Sequence, residues 1–270
     1  MLAYSLNNQL GFMVVGIGVG TELALNGTAA HAFAHILYKA LLFMAMGAVL
    51  MRVGTARASD LGALYKSMPL TTMFCIVGAA AISAFPLFSG FVTKSLTMSA
   101  VAESHSTAVW YIMLFASAGV LHHSGIKIPY FAFFAHDSGI RVKEAPLHMR
   151  LAMGIAAVFC IGIGLFPGVL YAMLPSQPVT YEPYTVTHVV TQLQLLMWAA
   201  LAFALLALVL VVGDTSFILR MGTSAVGHVL QNFVRMNLWT DPLLRTGFVE
   251  DWTVFYWAWW IAYAPFVGLF

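Results

Sequence analysis

The sequence predicts an all-α, polytopic membrane protein: about seven transmembrane helices, two of them broken, plus an interfacial amphipathic helix. Three observations predict it. The 270 residues are 61% hydrophobic and only 8% charged, with a mean hydropathy of +0.89, whereas a soluble domain carries roughly 25% charged residues. The apolar residues gather in runs near the ~20 residues a helix needs to cross a bilayer. The strict alternation of a membrane β-barrel is missing. Backbone polar groups in lipid must be satisfied within their own segment, so the runs read as helices.

The expected spans are residues 7–24, 29–51, 69–101, 107–134, 151–173, 193–213 and 252–270. At about 1.5 Å per residue, 69–101 would make a helix of roughly 50 Å, too long for a hydrocarbon core of about 30 Å. Pro86 and Gly90 near its middle predict a break. Gly125 and Pro129, flanking Lys127, predict a second interruption in 107–134. Irregular backbone at membrane depth is tolerated where protein or a wet cavity covers it, so broken helices point to an ion or substrate path. In 214–236, Phe217, Ile218, Met221, Val226, Val229, Leu230 and Phe233 recur at helical spacing, interrupted by Arg220, His228, Gln231 and Arg235. That pattern describes an amphipathic helix on the membrane surface, or equally a connecting helix packed on the bundle. Met1 is followed by neither a basic n-region nor a cleavage site, so the first span is expected to stay in the membrane.

Charge placement orients the spans. The segments around 52–66 and 136–150, with the stretch from 214 onward, hold Arg52, Arg57, Lys66, Arg141, Lys143, Arg150, Arg220, Arg235 and Arg245. The opposite loops, around 22–28, 102–106 and 174–192, hold no Lys or Arg. The positive-inside rule puts the first set in the cytoplasm, as expected of a multi-pass protein of the cell (inner) membrane. Lys39, Lys94 and Lys127 are left, and all three fall inside spans.

His31, His35 and Lys39 stand one helical turn apart and form a nearly straight line on one face of the second span. A lysine near the bilayer centre costs about 2.5–3.5 kcal/mol on insertion scales, which marks it as functional. Histidine and a desolvated lysine both exchange protons readily, so the triplet suits a proton relay through intervening waters. The alternative is polar glue between helices, with Lys39 snorkelling to an end. Lys94 follows the expected break, which frees carbonyls and admits water and so lets a buried ammonium exist; the alternative is snorkelling to an end. His122, His123 and Lys127 repeat the His–Lys theme in the second interrupted span, with His123 and Lys127 one turn apart. Cys75 and Cys160 lie in apolar segments without metal or redox spacing, and read as small buried apolar residues. Gly16, Gly18 and Gly20 follow no strand and read as helix-packing positions rather than a phosphate loop. No nucleophile triad, metal cluster or nucleotide motif stands out, so neither enzyme activity nor a cofactor is expected, and nothing points to nucleic acid.

The run Ala30-His31-Ala32-Phe33-Ala34-His35-Ile36-Leu37-Tyr38-Lys39-Ala40-Leu41-Leu42-Phe43 resembles the signature span of the antiporter-like proton-translocating subunits shared by respiratory complex I and Mrp-type Na+/H+ antiporters. Met1-Leu2-Ala3-Tyr4-Ser5, Gly90-Phe91-Val92-Thr93-Lys94 and Gly125-Ile126-Lys127-Ile128-Pro129-Tyr130-Phe131 add to it, the last pointing to the D-type subunit of the Mrp complexes. The resemblance covers roughly residues 1–207. It implies that His31, His35 and Lys39 belong to a hydrated central axis and that Lys94 is the terminal lysine of a broken helix. It further implies other subunits of a multisubunit antiporter complex as partners, and protons with Na+ or K+ as cargo. It starts where the family's second half-channel starts, so an upstream half with its own Glu–Lys pair is expected to be missing.

From about residue 208 the resemblance changes. Asp251-Trp252-Thr253-Val254-Phe255-Tyr256-Trp257-Ala258-Trp259-Trp260-Ile261-Ala262-Tyr263-Ala264-Pro265-Phe266-Val267-Gly268 is similar to the hallmark span of the betaine–choline–carnitine transporters. There, tryptophans cage a quaternary ammonium by cation–π contact. Trp259 and Trp260 match two cage positions, and Tyr263 stands where a third Trp is usual. Trp252 and Tyr256 also suit an interfacial aromatic belt. The expected organisation is therefore an antiporter-subunit-like membrane domain over 1–207 and a betaine-transporter-like interfacial helix and span over 208–270. The expected function is proton or cation translocation by a truncated D-like subunit, the alternatives a quaternary-ammonium transporter fragment or a non-transporting chimeric membrane piece. The two topologies conflict. In the betaine family the surface helix lies outside, whereas the charges here put 214–250 inside.

Overall fold

The computed structural model describes residues 2–212, and the described residues form helices, short turns and loops with no strand. The surface helix expected at 214–236, the span at 252–270 and the Trp259, Trp260 and Tyr263 cage lie outside the described residues. Helix α1 runs Leu2–Val19, α2 Glu22–Val53, α3 Pro69–Ile82 and α4 Ser89–Glu103. Next, α5 (Thr107–Val120) continues through a π-helical stretch Leu121–Ile126, one α-turn α6 (Lys127–Pro129) and a second π-helical stretch Tyr130–Phe134. Then come α7 Leu147–Leu165, α8 Pro167–Tyr171 and α9 Val186–Val212. Among the described residues, Glu22–Val53, Thr107–Phe134, Leu147–Leu165 and Val186–Leu205 are long and apolar enough to cross a membrane.

The first two helices divide earlier than hydropathy suggests. Gly20 takes φ +72, and the Thr21 side chain accepts from Ala24 N at 3.2 Å, capping α2 with Glu22 in its first turn. Residues 22–28, expected as a loop, are therefore the first turns of α2. At its other end Gly54, φ 85, donates to Leu50 O at 2.8 Å and closes the helix. The 32 residues of α2 reach about 48 Å at about 1.5 Å per residue. This helix is the hub, packed on α1, α3, α4 and α7. Small residues make that possible: a Cβ on Gly27 would run into the backbone of Thr97 on α4, and one on Gly16 of α1 would run into Thr28. Gly18 has open space around it, so only part of the glycine run serves packing.

The segment 69–101 is broken as expected, with α3 ending at Ile82 and α4 starting at Ser89. Between them Ala84 and Leu87 adopt φ 57 and 74. Gly90 presses on the Ala81 carbonyl with no room for a side chain. Residues 107–134 correct the second expectation: helix continues through Gly125 and Pro129. Pro129 lacks an N–H, and the chain absorbs the lost bond by widening its turns. Lys127 N donates to His122 O and Ala135 N to Tyr130 O at 2.7 Å, both five residues back. The expected span 151–173 begins at Leu147 and is divided at Phe166, with Pro167 opening α8.

The basic segments meet at one end of the bundle. Asp137 bonds Lys66 at 2.8 Å and Arg141 at 2.7 Å. Arg52, at the end of α2, donates to Glu144 O at 2.8 Å and 3.1 Å. The Glu144 carboxylate accepts from Leu70 N at 2.8 Å and from the Thr71 hydroxyl at 2.5 Å, so a distant loop caps α3, whose own cap position Met68 offers no side-chain acceptor. At the other end Asn26 donates to Ser176 O at 2.7 Å and accepts from Ser176 N at 3.0 Å, without any lysine or arginine.

Replacing Glu144 by Ala should remove that cap and lower stability by about 1 kcal/mol. An unchanged thermal midpoint of the protein in detergent would show that the loop does not cap α3. The Asp137 carboxyl is held well below the usual carboxylate range by hydrogen bonds from Arg141 and Lys66. A group depressed on folding contributes above its unfolded value of about 3.9 and loses that contribution as pH falls toward its folded value. The midpoint difference between wild type and Asp137→Asn should therefore be constant near neutrality and shrink in acid. A difference that grows in acid would contradict this assignment.

Candidate functional site

The polar face of α2 looks onto α1 and α4. His31, His35 and Lys39 are 1%, 6% and 4% exposed, and Lys94 of α4 is 3% exposed. His31 is held at both ring nitrogens: Nδ1 shares a 3.1 Å hydrogen bond with Thr93 Oγ1, and Nε2 one of 3.1 Å with Gln9 Oε1. The Tyr38 hydroxyl donates to the same Gln9 oxygen at 3.0 Å. Lys39 donates from Nζ to Ser5 Oγ, whose own hydroxyl donates to Leu2 O at 3.1 Å. The rings of His31 and His35 stack at 6.3 Å, and Tyr38 meets His35 edge-on at 5.4 Å. His35 Nε2 is buried with no hydrogen-bond partner among the described residues.

Lys94 sits at the helix break. Its Nζ donates to Ile82 O at 2.7 Å, the last residue of α3, and lies 5.5 Å from the Phe12 ring centroid. The C-terminus of a half-helix is the negative end of its dipole, so carbonyl, dipole and ring face together hold the ammonium. The neighbouring carbonyls of the break are also used. Ala80 O accepts from Phe85 N at 3.0 Å and Ala81 O from Ala84 N at 3.2 Å. Ser83 O accepts from Gln192 Nε2 of α9 at 3.5 Å.

His122 and His123 lie on the π-helical stretch that packs against α3, and Lys127 opens α6 directly after it. Gly125 is pressed on the Ser83 hydroxyl at the break. His123 Nδ1 bonds Gly119 O at 3.3 Å and its Nε2 bonds Ser124 Oγ at 3.1 Å. Lys39 acts electrostatically on His35, on Lys94 and on His123, and Lys127 acts on His122 and His123. The fold thus brings His31, His35, Lys39 and Lys94 into one buried cluster; His123 is within electrostatic reach of Lys39, and Lys127 within reach of His122 and His123.

Sequence reasoning missed Ser5, Gln9, Tyr38 and Thr93. The first two stand one turn apart on α1 and face α2, a weaker echo of the spacing that exposed the histidines. Tyr38 and Thr93 each adjoin a lysine already singled out. Tyr38 is fully buried, so Tyr38→Phe keeps the ring and deletes one donor. It should cost about 0.5–1.5 kcal/mol. Unfolding in lipid nanodiscs measures it, and a neutral substitution would mean that the Gln9 bond contributes nothing.

Residues 1–120 match the family described as NADH:quinone oxidoreductase/Mrp antiporter, TM. Residues 188–270 match BCCT, betaine/carnitine/choline family transporter. The chain is 29% identical over 175 residues to the A/B subunit of the probable K(+)/H(+) antiporter of Rhizobium meliloti (strain 1021), covering 62% of this chain and 17% of that protein. It is 29% identical over 220 residues to NADH-ubiquinone oxidoreductase chain 5 of Dugong dugon, covering 80% and 34%. It is 52% identical over 69 residues to the uncharacterized transporter YeaV of Escherichia coli (strain K12), covering 26% and 14%. The chain therefore spans about a third or less of the length of these relatives. Its fold is similar to that of a chain in the Mrp complex from Dietzia sp. DQ12-45-1b, with a TM-score of 0.55 at 21% identity, over 60% of this chain and 38% of that one. The protein is a helical, multi-pass membrane protein that resembles the NADH:quinone oxidoreductase/Mrp antiporter family over residues 1–120 and the betaine/carnitine/choline transporters over residues 188–270.

Proposed function

We propose that the chain is an antiporter-like membrane subunit, similar to the D-type subunit of the Mrp complexes, that carries protons in exchange for a monovalent cation, Na+ or K+. The observation that carries this reading is the pair of buried lysines, Lys39 and Lys94, clustered with His31 and His35 where α2, long and apolar enough to cross a membrane, packs on α4. Groups that cost this much in a membrane are retained for what they do. In this reading His31, His35 and Lys39 form the relay, Lys94 its terminal lysine, and His123 with Lys127 a continuation along the π-helical stretch. The seven-span topology with a surface helix, the cell (inner) membrane location, and the division into an antiporter-like part over 1–207 and a betaine-transporter-like part over 208–270 belong to the same reading. The partners are the bilayer and the other subunits of a multisubunit antiporter complex. The protein moves ions and catalyses no bond chemistry of its own.

Reconstituted in liposomes with a pH-sensitive dye inside, the chain should dissipate a proton gradient when Na+ or K+ is added outside. Lys39→Ala and Lys94→Ala should each slow this at least tenfold, about 1.4 kcal/mol in barrier height. Flux that ignores both substitutions would refute the relay.

The match of residues 188–270 favours a second reading, a fragment of a sodium-coupled quaternary-ammonium transporter with Trp259, Trp260 and Tyr263 as its cage. One exposed aromatic face contributes only about 0.5–1 kcal/mol to an ammonium, while millimolar affinity takes about 4 kcal/mol. Alternating access further needs two repeats moving against each other. The chain alone is therefore expected not to take up betaine. Saturable uptake of labelled betaine that disappears in Trp259→Ala or Trp260→Ala would promote this second reading to first.

A further inference from the structure

We infer that Gln9 is a positioning residue that holds neutral His31 as the Nε2–H tautomer, so that His31 gains and loses its proton only at Nδ1, on the side of α4. The role in transport rests on the relay reading; the tautomer rests on hydrogen-bond geometry alone. The bonds form one directed chain between two backbone carbonyls. Asn8 Nδ2 donates to Ala116 O of α5 at 3.5 Å, which turns Asn8 Oδ1 toward Gln9. Gln9 Nε2 donates to that oxygen at 3.0 Å, which points Gln9 Oε1 at α2. Reversing the Gln9 amide would set its oxygen against Asn8 Oδ1, two acceptors face to face, and would take away the acceptor of the buried Tyr38 hydroxyl. An amide oxygen only accepts. The partner at 3.1 Å, His31 Nε2, must therefore carry a hydrogen, as the Tyr38 hydroxyl does at 3.0 Å.

The other side of the ring is built differently. Thr93 Oγ1 lies 3.1 Å from His31 Nδ1 and 3.0 Å from Ser89 O, one turn back on α4. A hydroxyl has one hydrogen and accepts as well as donates. With neutral His31 that hydrogen points at Nδ1. When Nδ1 takes a proton, its N–H donates to Thr93 Oγ1 and the hydroxyl turns to Ser89 O. Both charge states are then fully bonded without movement of a heavy atom. At Nε2 the Tyr38 hydroxyl also lies 3.4 Å away, but its hydrogen is directed to the nearer Gln9 Oε1 at 3.0 Å, and Gln9 accepts from Nε2 in either state. Thr93 is the immediate neighbour of Lys94, so the titrating nitrogen faces the helix of the second buried lysine. The groups that face His31 from the elements around it are Gln9 and Phe12 of α1, His35 and Tyr38 of α2, and Thr93 and Lys94 of α4.

Nitrogen-15 NMR of the full chain in lipid bilayers, labelled at histidine and observed at mildly alkaline pH, tests this. The His31 signals are identified by their loss in His31→Asn. The expected result is a protonated Nε2 and an unprotonated Nδ1. Gln9→Leu should divide the ring between the two tautomers, whereas Gln9→Glu, still an acceptor, should keep Nε2 protonated. A His31 protonated at Nδ1, or at both nitrogens, in the wild type overturns the inference, as does a signature unchanged by Gln9→Leu. The wild-type spectrum alone decides the tautomer if Gln9→Leu does not fold. A chain that moves no protons yet shows the Nε2–H signature refutes the relay reading and leaves the tautomer standing.

Discussion

The rest of this bundle depends on a single requirement: polar groups withdrawn from water have to be partnered inside the protein. Breaking a helix at membrane depth frees carbonyls, and the segment 83–88 meets that cost locally through the turn bonds to Ala80 O and Ala81 O. Ile82 O is met by Lys94 and Ser83 O by Gln192. The ammonium and the break therefore need each other. Without the freed carbonyl Lys94 would lose its strongest partner, and without Lys94 the end of α3 would keep an orphan acceptor. That mutual need fixes where α4 starts, and with it the height at which Thr93 meets His31.

The parts of the site that can be read from sequence are those whose physics is periodic or costly. His31, His35 and Lys39 repeat at one-turn spacing in an apolar run, and the break in 69–101 follows from excess length together with Pro86. Gln9 is invisible in the sequence because one amide in an apolar segment has no pattern. Its importance comes from His31 and Tyr38, both on α2, and from Asn8 beside it on α1. Continuity through Pro129 is equally hidden, because proline removes a donor in any helix, while the remedy depends on whether neighbouring helices leave room for wider turns. The start of α2 is misplaced by hydropathy for a simpler reason. Hydropathy puts residues 22–28 in a loop, although Thr21 before Glu22 is a cap signal present in the chain itself.

The two ends of the described bundle are tied by different chemistry. One is laced by Asp137 and Glu144 with Lys66, Arg141 and Arg52. The other is closed by neutral groups, with Asn26 bonded to Ser176 and Tyr181 to Ser99. Salt screens exposed ion pairs and leaves buried amide pairs nearly untouched. Ionic strength therefore loosens one end of the bundle more than the other.

The π-helical stretches have a consequence for how this chain tolerates change in length. A π turn holds one residue more than an α turn, so it equals an α-helix that has taken in a single extra residue without rotating the residues beyond it. Deleting one residue from 121–126 would let the segment relax to regular α geometry. Everything downstream would then keep its orientation, whereas the same deletion from a regular α stretch would turn it by about 100° about the helix axis. Residues 121–126 are thus a place in this helix where losing one residue leaves the polar groups beyond it aligned.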